Sequence, residues 1–163
     1  MQRWLWLVAL TAAGLFRGAE APLEKDVAAI IAGPQVTVVH FWAPWCPNCR
    51  AEQDPDTGWA KMVGANPDVK FVFINIWHKG QDGAAAMAAA KLGPQSNLLL
   101  LTHPNPSKLA ADRVSSFLGL PITWIPTTWV YRSGKLRAAF NYGEIRFPVF
   151  QQMMDDARAE WDR

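Results

Sequence analysis

Cys46 and Cys49 are the only two cysteines of this chain, and they stand three positions apart just beyond an apolar run, Gln35 to Trp42. That run is rich in valine and does not alternate with polar residues, the pattern of a strand buried on both faces. Arg50-Ala51-Glu52-Gln53 suits a helix. The order strand, cysteine pair, helix puts the first sulfur at a helix N-terminus, where unpaired N–H groups favour a thiolate. A thiol there falls from about 8.5 into the range of about 3.5–7.5 and becomes a nucleophile at neutral pH. The second sulfur lies one turn on and can resolve a mixed disulfide. Cys46 is therefore the attacking thiol and Cys49 the resolving one, with no cofactor beyond the Cys46–Cys49 disulfide itself. A single pair is too few for a disulfide scaffold. A zinc site is the competing reading, but zinc wants four ligands, and the spacing of His40, His78 and His103 fits no zinc pattern.

The rest of the chain bounds the setting. It has 163 residues, half of them hydrophobic and 18% charged, enough for one domain with a real core. The net charge is +2 with no basic run, which argues against a nucleic-acid partner. Residues 1–21 have the pattern of a secretory leader: Arg3, an apolar stretch from Trp4 to Phe16, then small Gly18, Ala19 and Ala21. The stretch is short for a membrane span. Pro22 after Ala21 is a poor context for cleavage, so an uncleaved anchor through residues 4–16 is the alternative. Either reading places residues 22–163 outside the cytoplasm, in a periplasmic or similar compartment where disulfides form.

Within residues 22–163 the punctuation predicts an α/β fold with a mixed central sheet flanked by helices. A helix over Leu23 to Ala32 stops at Gly33-Pro34. Strands follow at Gln35 to Trp42, Val69 to Trp77 and Asn97 to Thr102. Helices are expected over Asp82 to Leu92 and Lys108 to Leu118, so the middle of the chain reads helix, strand, helix. A hairpin over Thr127 to Tyr131 and Leu136 to Asn141 closes around Ser133-Gly134. A last helix opens near Pro148, its packed face being Phe147, Phe150, Met154, Ala157 and Trp161.

Phe41-Trp42-Ala43-Pro44-Trp45-Cys46-Pro47-Asn48-Cys49-Arg50 resembles the active-site segment of the thioredoxin superfamily. Ile125-Pro126-Thr127-Thr128 resembles its cis-proline loop, and Gly143 falls where the family has a glycine before the last helix. The likeness covers residues 23 to 162. The two motifs lie farther apart than in plain thioredoxin, and the extra stretch from about 81 to 118 resembles the central insert of TlpA/ResA-type proteins, which are exported or membrane-anchored. From the residues alone, Ile125-Pro126 is also readable as a trans turn. The resemblance implies a cis Pro126 against the cysteines, lining a groove for a substrate segment with Ile125 and flanked by Trp45 and Trp124. Alternatively, the two indoles only cover the sheet edge.

Two departures from the family pattern stand out. Thioredoxin has a buried acid in its first strand where this chain has His40, and the family acid moves protons to and from the resolving cysteine. His40 is the candidate relay for Cys49, titrating near neutral pH, with a neutral core histidine as the bland alternative. The family also kinks its active-site helix at a proline. Here Pro55-Asp56-Thr57-Gly58 predicts an early break and a restart near Trp59. Pro47 and Asn48 tune the redox balance, and the uncharged Asn48 amide supplies no strong positive field.

The function that follows is an exported thiol–disulfide oxidoreductase acting on protein cysteines. It is expected to be a monomeric reductant fed by a membrane electron donor, as TlpA-type relatives are in cytochrome c or copper-site maturation. Its rivals are a disulfide oxidase or isomerase, and a copper-binding or copper-delivery protein using Cys46, Cys49 and a histidine. A peroxidase lacks support, because Pro44 and Trp45 stand before Cys46 where such enzymes carry a threonine.

Overall fold

Every residue of the strand β1 (Val36–Trp42) is buried, because the strand has neighbours on both edges and packed layers on both faces. The computed structural model describes residues 22–140 and 145–159. The leader, Gly143 and Trp161 lie outside them. The chain opens with the helix α1 (Pro22–Ile31), then β1, the cysteine helix α2 (Pro47–Ala51) and α3 (Trp59–Ala65). It continues with β2 (Lys70–Asn75), α4 (Gly83–Ala89) and β3 (Leu98–Thr102). The short pair β4 (Ser116–Phe117) and β5 (Leu120–Pro121) comes next, then β6 (Thr127–Arg132), β7 (Lys135–Phe140) and α5 (Phe147–Arg158).

The main sheet runs β3-β2-β1-β6-β7. β1, β2 and β3 are parallel, and β6 and β7 are antiparallel, so the sheet is mixed as the sequence predicts. The parallel strands all point their C-terminal ends to one side, where the cysteine pair sits. Ser133 and Gly134, both at positive φ, make the two-residue turn that joins β6 to β7. Asp82 caps α4, its carboxylate accepting from the Ala84 and Ala85 N–H groups. α5 lays Phe150, Met154 and Ala157 against the sheet. Among the described residues no helix is long and apolar enough to cross a membrane.

The helix expected over Lys108 to Leu118 is absent, and its backbone groups show why. Only one turn forms, with the Asp112 and Arg113 N–H groups returning to the Leu109 carbonyl. A helix would pair the Val114 carbonyl with the Leu118 N–H. Instead that carbonyl accepts from Trp77 Nε1 at 2.8 Å, and that N–H donates to Glu24 Oε2 at 3.0 Å. Asn105 takes the Asp112 carbonyl and the Ser107 N–H as well. Leu118 and Gly119, again both at positive φ, then turn the chain back as the β4–β5 hairpin. The insert is a helix and strand followed by a pinned loop and hairpin.

The break in the active-site helix is where the sequence places it. Asp54 Oδ1 accepts from the Asp56 and Thr57 N–H groups and from the Thr57 hydroxyl, which ends α2 in a compact turn. Gly58 lets the turn close, since a Cβ there would sit 2.2 Å from the Glu52 carbonyl and 2.6 Å from that of Asp54. The reversal delivers Trp59, fully buried, among Phe73, Phe147 and Phe150 at ring separations of 5.0, 5.2 and 5.4 Å. A Gly58→Ala substitution must push backbone apart, with an expected loss of about 3 kcal/mol read as a lower midpoint in urea unfolding. An unchanged midpoint would show that the turn opens freely.

Candidate active site

Strand β1 ends at Trp42, and the chain turns so that Cys46 becomes the N-cap residue of α2. Pro47 follows at the first helical position, where its missing N–H is no loss. Cys46 Sγ accepts from the Cys49 N–H at 3.4 Å and, when protonated, donates toward the Ile125 carbonyl at 3.5 Å. The Ile125-Pro126 bond is cis, so of the two conformations open to the sequence the structure has the one the family likeness implied. It brings that carbonyl onto the attacking sulfur, although Ile125 and Cys46 are far apart in the chain.

The two thiols differ sharply. Cys46 is pulled down from 9.0 to about 6, chiefly by the hydrogen bond from the Cys49 thiol. The Cys49 and Asn48 N–H groups and the Arg50 charge assist, against a burial that pushes the other way. Cys49 is completely buried, and its thiol is pushed far above the ordinary range by that burial first, then by the Cys46 sulfur and the Glu52 carboxylate. One sulfur is ready to attack at neutral pH, while the other stays protonated until something nearby takes its proton.

Among the other residues read from sequence, Pro47 and Asn48 lie exposed on the first turn of α2. Trp45 is half-buried and donates its indole N–H to the Trp77 carbonyl at 2.6 Å. Trp124 is 60% exposed, one residue before the cis Ile125-Pro126 bond. His40 is buried, its Nδ1 2.8 Å from the Thr128 hydroxyl. No hydrogen bond joins it to either sulfur among the described residues. Burial drives its pKa from 6.5 down to about 3, so it does not titrate near neutral pH as expected. Its Nε2 lies 3.6 Å from Glu52 Oε2, a contact of a neutral imidazole and not an ion pair.

Glu52 is the residue the sequence reading missed. Its side chain has no exposure, and it accepts from Trp59 Nε1 at 3.1 Å and from the Ile145 N–H at 2.9 Å. The signal was there: Glu52 is three residues past Cys49, the spacing that places both on one helix face. A buried carboxylate thus lies at the end of the cysteine helix, with the His40 imidazole beside it. Neither His78 nor His103 is free for a metal through Nδ1, which accepts from Gly80 N–H and Asn105 N–H respectively. Among the described residues no three His, Cys, Asp or Glu side chains converge as a metal site.

A family model for a thioredoxin-like domain matches residues 23–158. No curated protein sequence matches the chain. Among solved structures, a secreted disulfide oxidoreductase of Mycobacterium tuberculosis homologous to E. coli DsbE is 23% identical, with a TM-score of 0.52. The match covers 77% of this chain and 84% of that one. A thiol:disulfide interchange protein of Chlorobium tepidum is 22% identical over 81% of this chain and 85% of its own, with a TM-score of 0.55. A thiol-disulfide isomerase of Corynebacterium glutamicum is 13% identical, covering 81% and 86%, also at 0.55. At these identities the likeness is one of fold.

Alkylation of the reduced protein checks the asymmetry: Cys46 is expected to react with a midpoint near pH 6 and Cys49 not to react while folded. Cys49→Ala removes the largest favourable contact and moves the midpoint upward. Because the folded pKa lies below the unfolded one, the thiolate's contribution to stability is complete above about pH 9 and vanishes as pH falls through about 6. A Cys46 midpoint that stays in the ordinary thiol range would refute the assignment.

Proposed function

The chain belongs to the thioredoxin-like family, and on that premise we propose that it is an exported thiol–disulfide oxidoreductase that reduces protein disulfides. The observation that carries this reading is the split between a Cys46 thiol near 6 and a buried Cys49 thiol pushed upward. The Cys46 thiolate attacks one sulfur of a client disulfide; that S–S bond breaks, and the client's other sulfur leaves as a thiolate. A Cys46–client disulfide results. Cys49 then loses its proton and attacks Cys46 Sγ, the client's second sulfur leaves and is protonated, and the Cys46–Cys49 disulfide forms. Two electrons have passed to the client, and a dithiol partner at the membrane returns them.

Glu52 takes the Cys49 proton in this scheme. It is the carboxylate that acts on the Cys49 thiol, and it is held in place by Trp59 and Ile145. His40 orients it: with its proton on Nε2 it faces Glu52, and Nδ1 then accepts from the Thr128 hydroxyl. The relay first assigned to His40 alone thus becomes a pair in which Glu52 carries the proton. The direction of electron flow is supported by the Cys46 value, which is closer to that of thioredoxin than to that of a strong oxidant. A client in cytochrome c or copper-site maturation suits a TlpA-type reductant, delivered or anchored by residues 1–21.

Two measurements test this reading. The reduction potential of the pair is expected near the thioredoxin figure of about −270 mV, and a value near about −120 mV would make it an oxidase instead. Glu52→Gln is expected to slow resolution of the mixed disulfide by about 10²-fold near neutral pH. His40→Gln should shift the pH profile of the same step less. Resolution as fast in Glu52→Gln as in wild type would remove Glu52 from the proton path.

A further inference from the structure

Three parallel strands send their following loops to one place. Trp45 comes after β1, Lys79 after β2 and Lys108 after β3, and both lysines hold their ammonium groups over the Trp45 ring. They stand 5.1 and 4.8 Å from its centroid. The arrangement is built and not incidental. Trp45 Nε1 donates to the Trp77 carbonyl, Trp77 Nε1 to the Val114 carbonyl, and the Lys79 N–H to the Pro106 carbonyl at 2.9 Å. The Arg113 guanidinium stacks over Trp77 at 4.6 Å, adding a third positive charge to the same rim.

Two exposed ammonium groups on one ring repel each other. Lys108 is near enough to be the main reason that Lys79 loses its proton more easily than an ordinary lysine. Among the described residues neither lysine has a carboxylate within salt-bridge distance. The indole face attracts the charges without neutralising them. An anion placed between the two would relieve the repulsion and gain two charge-assisted hydrogen bonds. Trp45 is covalently next to Cys46, so that anion would lie beside the sulfur to which a client is joined.

We propose that Lys79 and Lys108 over Trp45 form a carboxylate-binding rim of the active site, and that it selects protein segments carrying Asp or Glu close to the cysteine attacked by Cys46. The inference rests on the exchange reaction above and adds its specificity. The insert, on this view, takes part in recognising the client, since it supplies Lys108 and the Pro106 and Val114 carbonyls that fix the Lys79 backbone and Trp77.

The experiment uses two short peptides, each closed by one disulfide and identical except for Glu or Gln on both sides of one cysteine. Their reduction rates by the full reduced protein are compared with those of the exposed-surface variant K79Q/K108Q and the reversal K79E/K108E. The Glu peptide is expected to react about tenfold faster than the Gln peptide with wild type at low salt, and the ratio to shrink as salt rises. It should fall to about one in K79Q/K108Q and below one in K79E/K108E. The same Glu-to-Gln ratio in wild type and K79Q/K108Q, with both peptides reduced, overturns the rim and leaves the exchange activity standing. If neither peptide is reduced faster than by a free monothiol, the exchange reading itself falls, and the rim with it.

Discussion

Glu52 is a carboxylate without solvent, and such a group is tolerated only where the protein supplies what water would have supplied. Its two oxygens are met from three directions: the indole of Trp59, the backbone of Ile145 and the imidazole of His40. Those groups belong to α3, to the approach to α5 and to the central strand, so one side chain ties the cysteine helix to three other parts of the fold. The sharp turn at Asp54 to Gly58 exists in service of this arrangement. It ends α2 directly after Glu52 and returns the chain so that Trp59 can reach back to it.

The same placement sets the chemistry. Cys49 and Glu52 occupy one face of a short helix turned into the core, and there burial holds the resolving thiol protonated with the carboxylate pressing in the same direction. Cys46, one turn earlier, keeps a sliver of exposure and collects the hydrogen bonds that favour a thiolate. A single turn of helix crossing from rim to core therefore makes a nucleophile of one cysteine and a protonated reserve of the other. The Ile125 carbonyl, delivered by the cis peptide just before the neighbouring strand β6, completes the surroundings of the attacking sulfur.

Parallel strands explain why one end of the sheet holds everything that acts. β1, β2 and β3 run the same way, so the residues that follow each of them gather at a common edge. Trp45, Trp77 with Lys79, and the loop carrying Lys108 and Arg113 are the continuations of three successive strands. Indole-to-carbonyl hydrogen bonds lock these loops together, which gives an irregular stretch of chain the definition that a helix would otherwise provide.

Much of this could be read from the chain itself. The unbroken apolar run before Cys46, the Ser133-Gly134 turn and the proline and glycine that divide the active-site helix are local signals, and each marks an element that formed. Local preference failed at Lys108 to Leu118, because Trp77 and Glu24 claim the carbonyl and N–H that a helix would have paired. His40 was visible as the one ionisable residue of the central strand, yet its neutrality comes from complete burial, a property of the packed layers. Glu52 had the right spacing from Cys49 but no local mark to separate it from any exposed helix glutamate. The sequence alone determined that a reactive cysteine pair would open a helix after a buried strand, since propensity and apolar pattern act over a few neighbouring residues. Only the tertiary structure decided which acid attends that pair and which cations ring it, because desolvation and charge act through space between segments far apart in the chain.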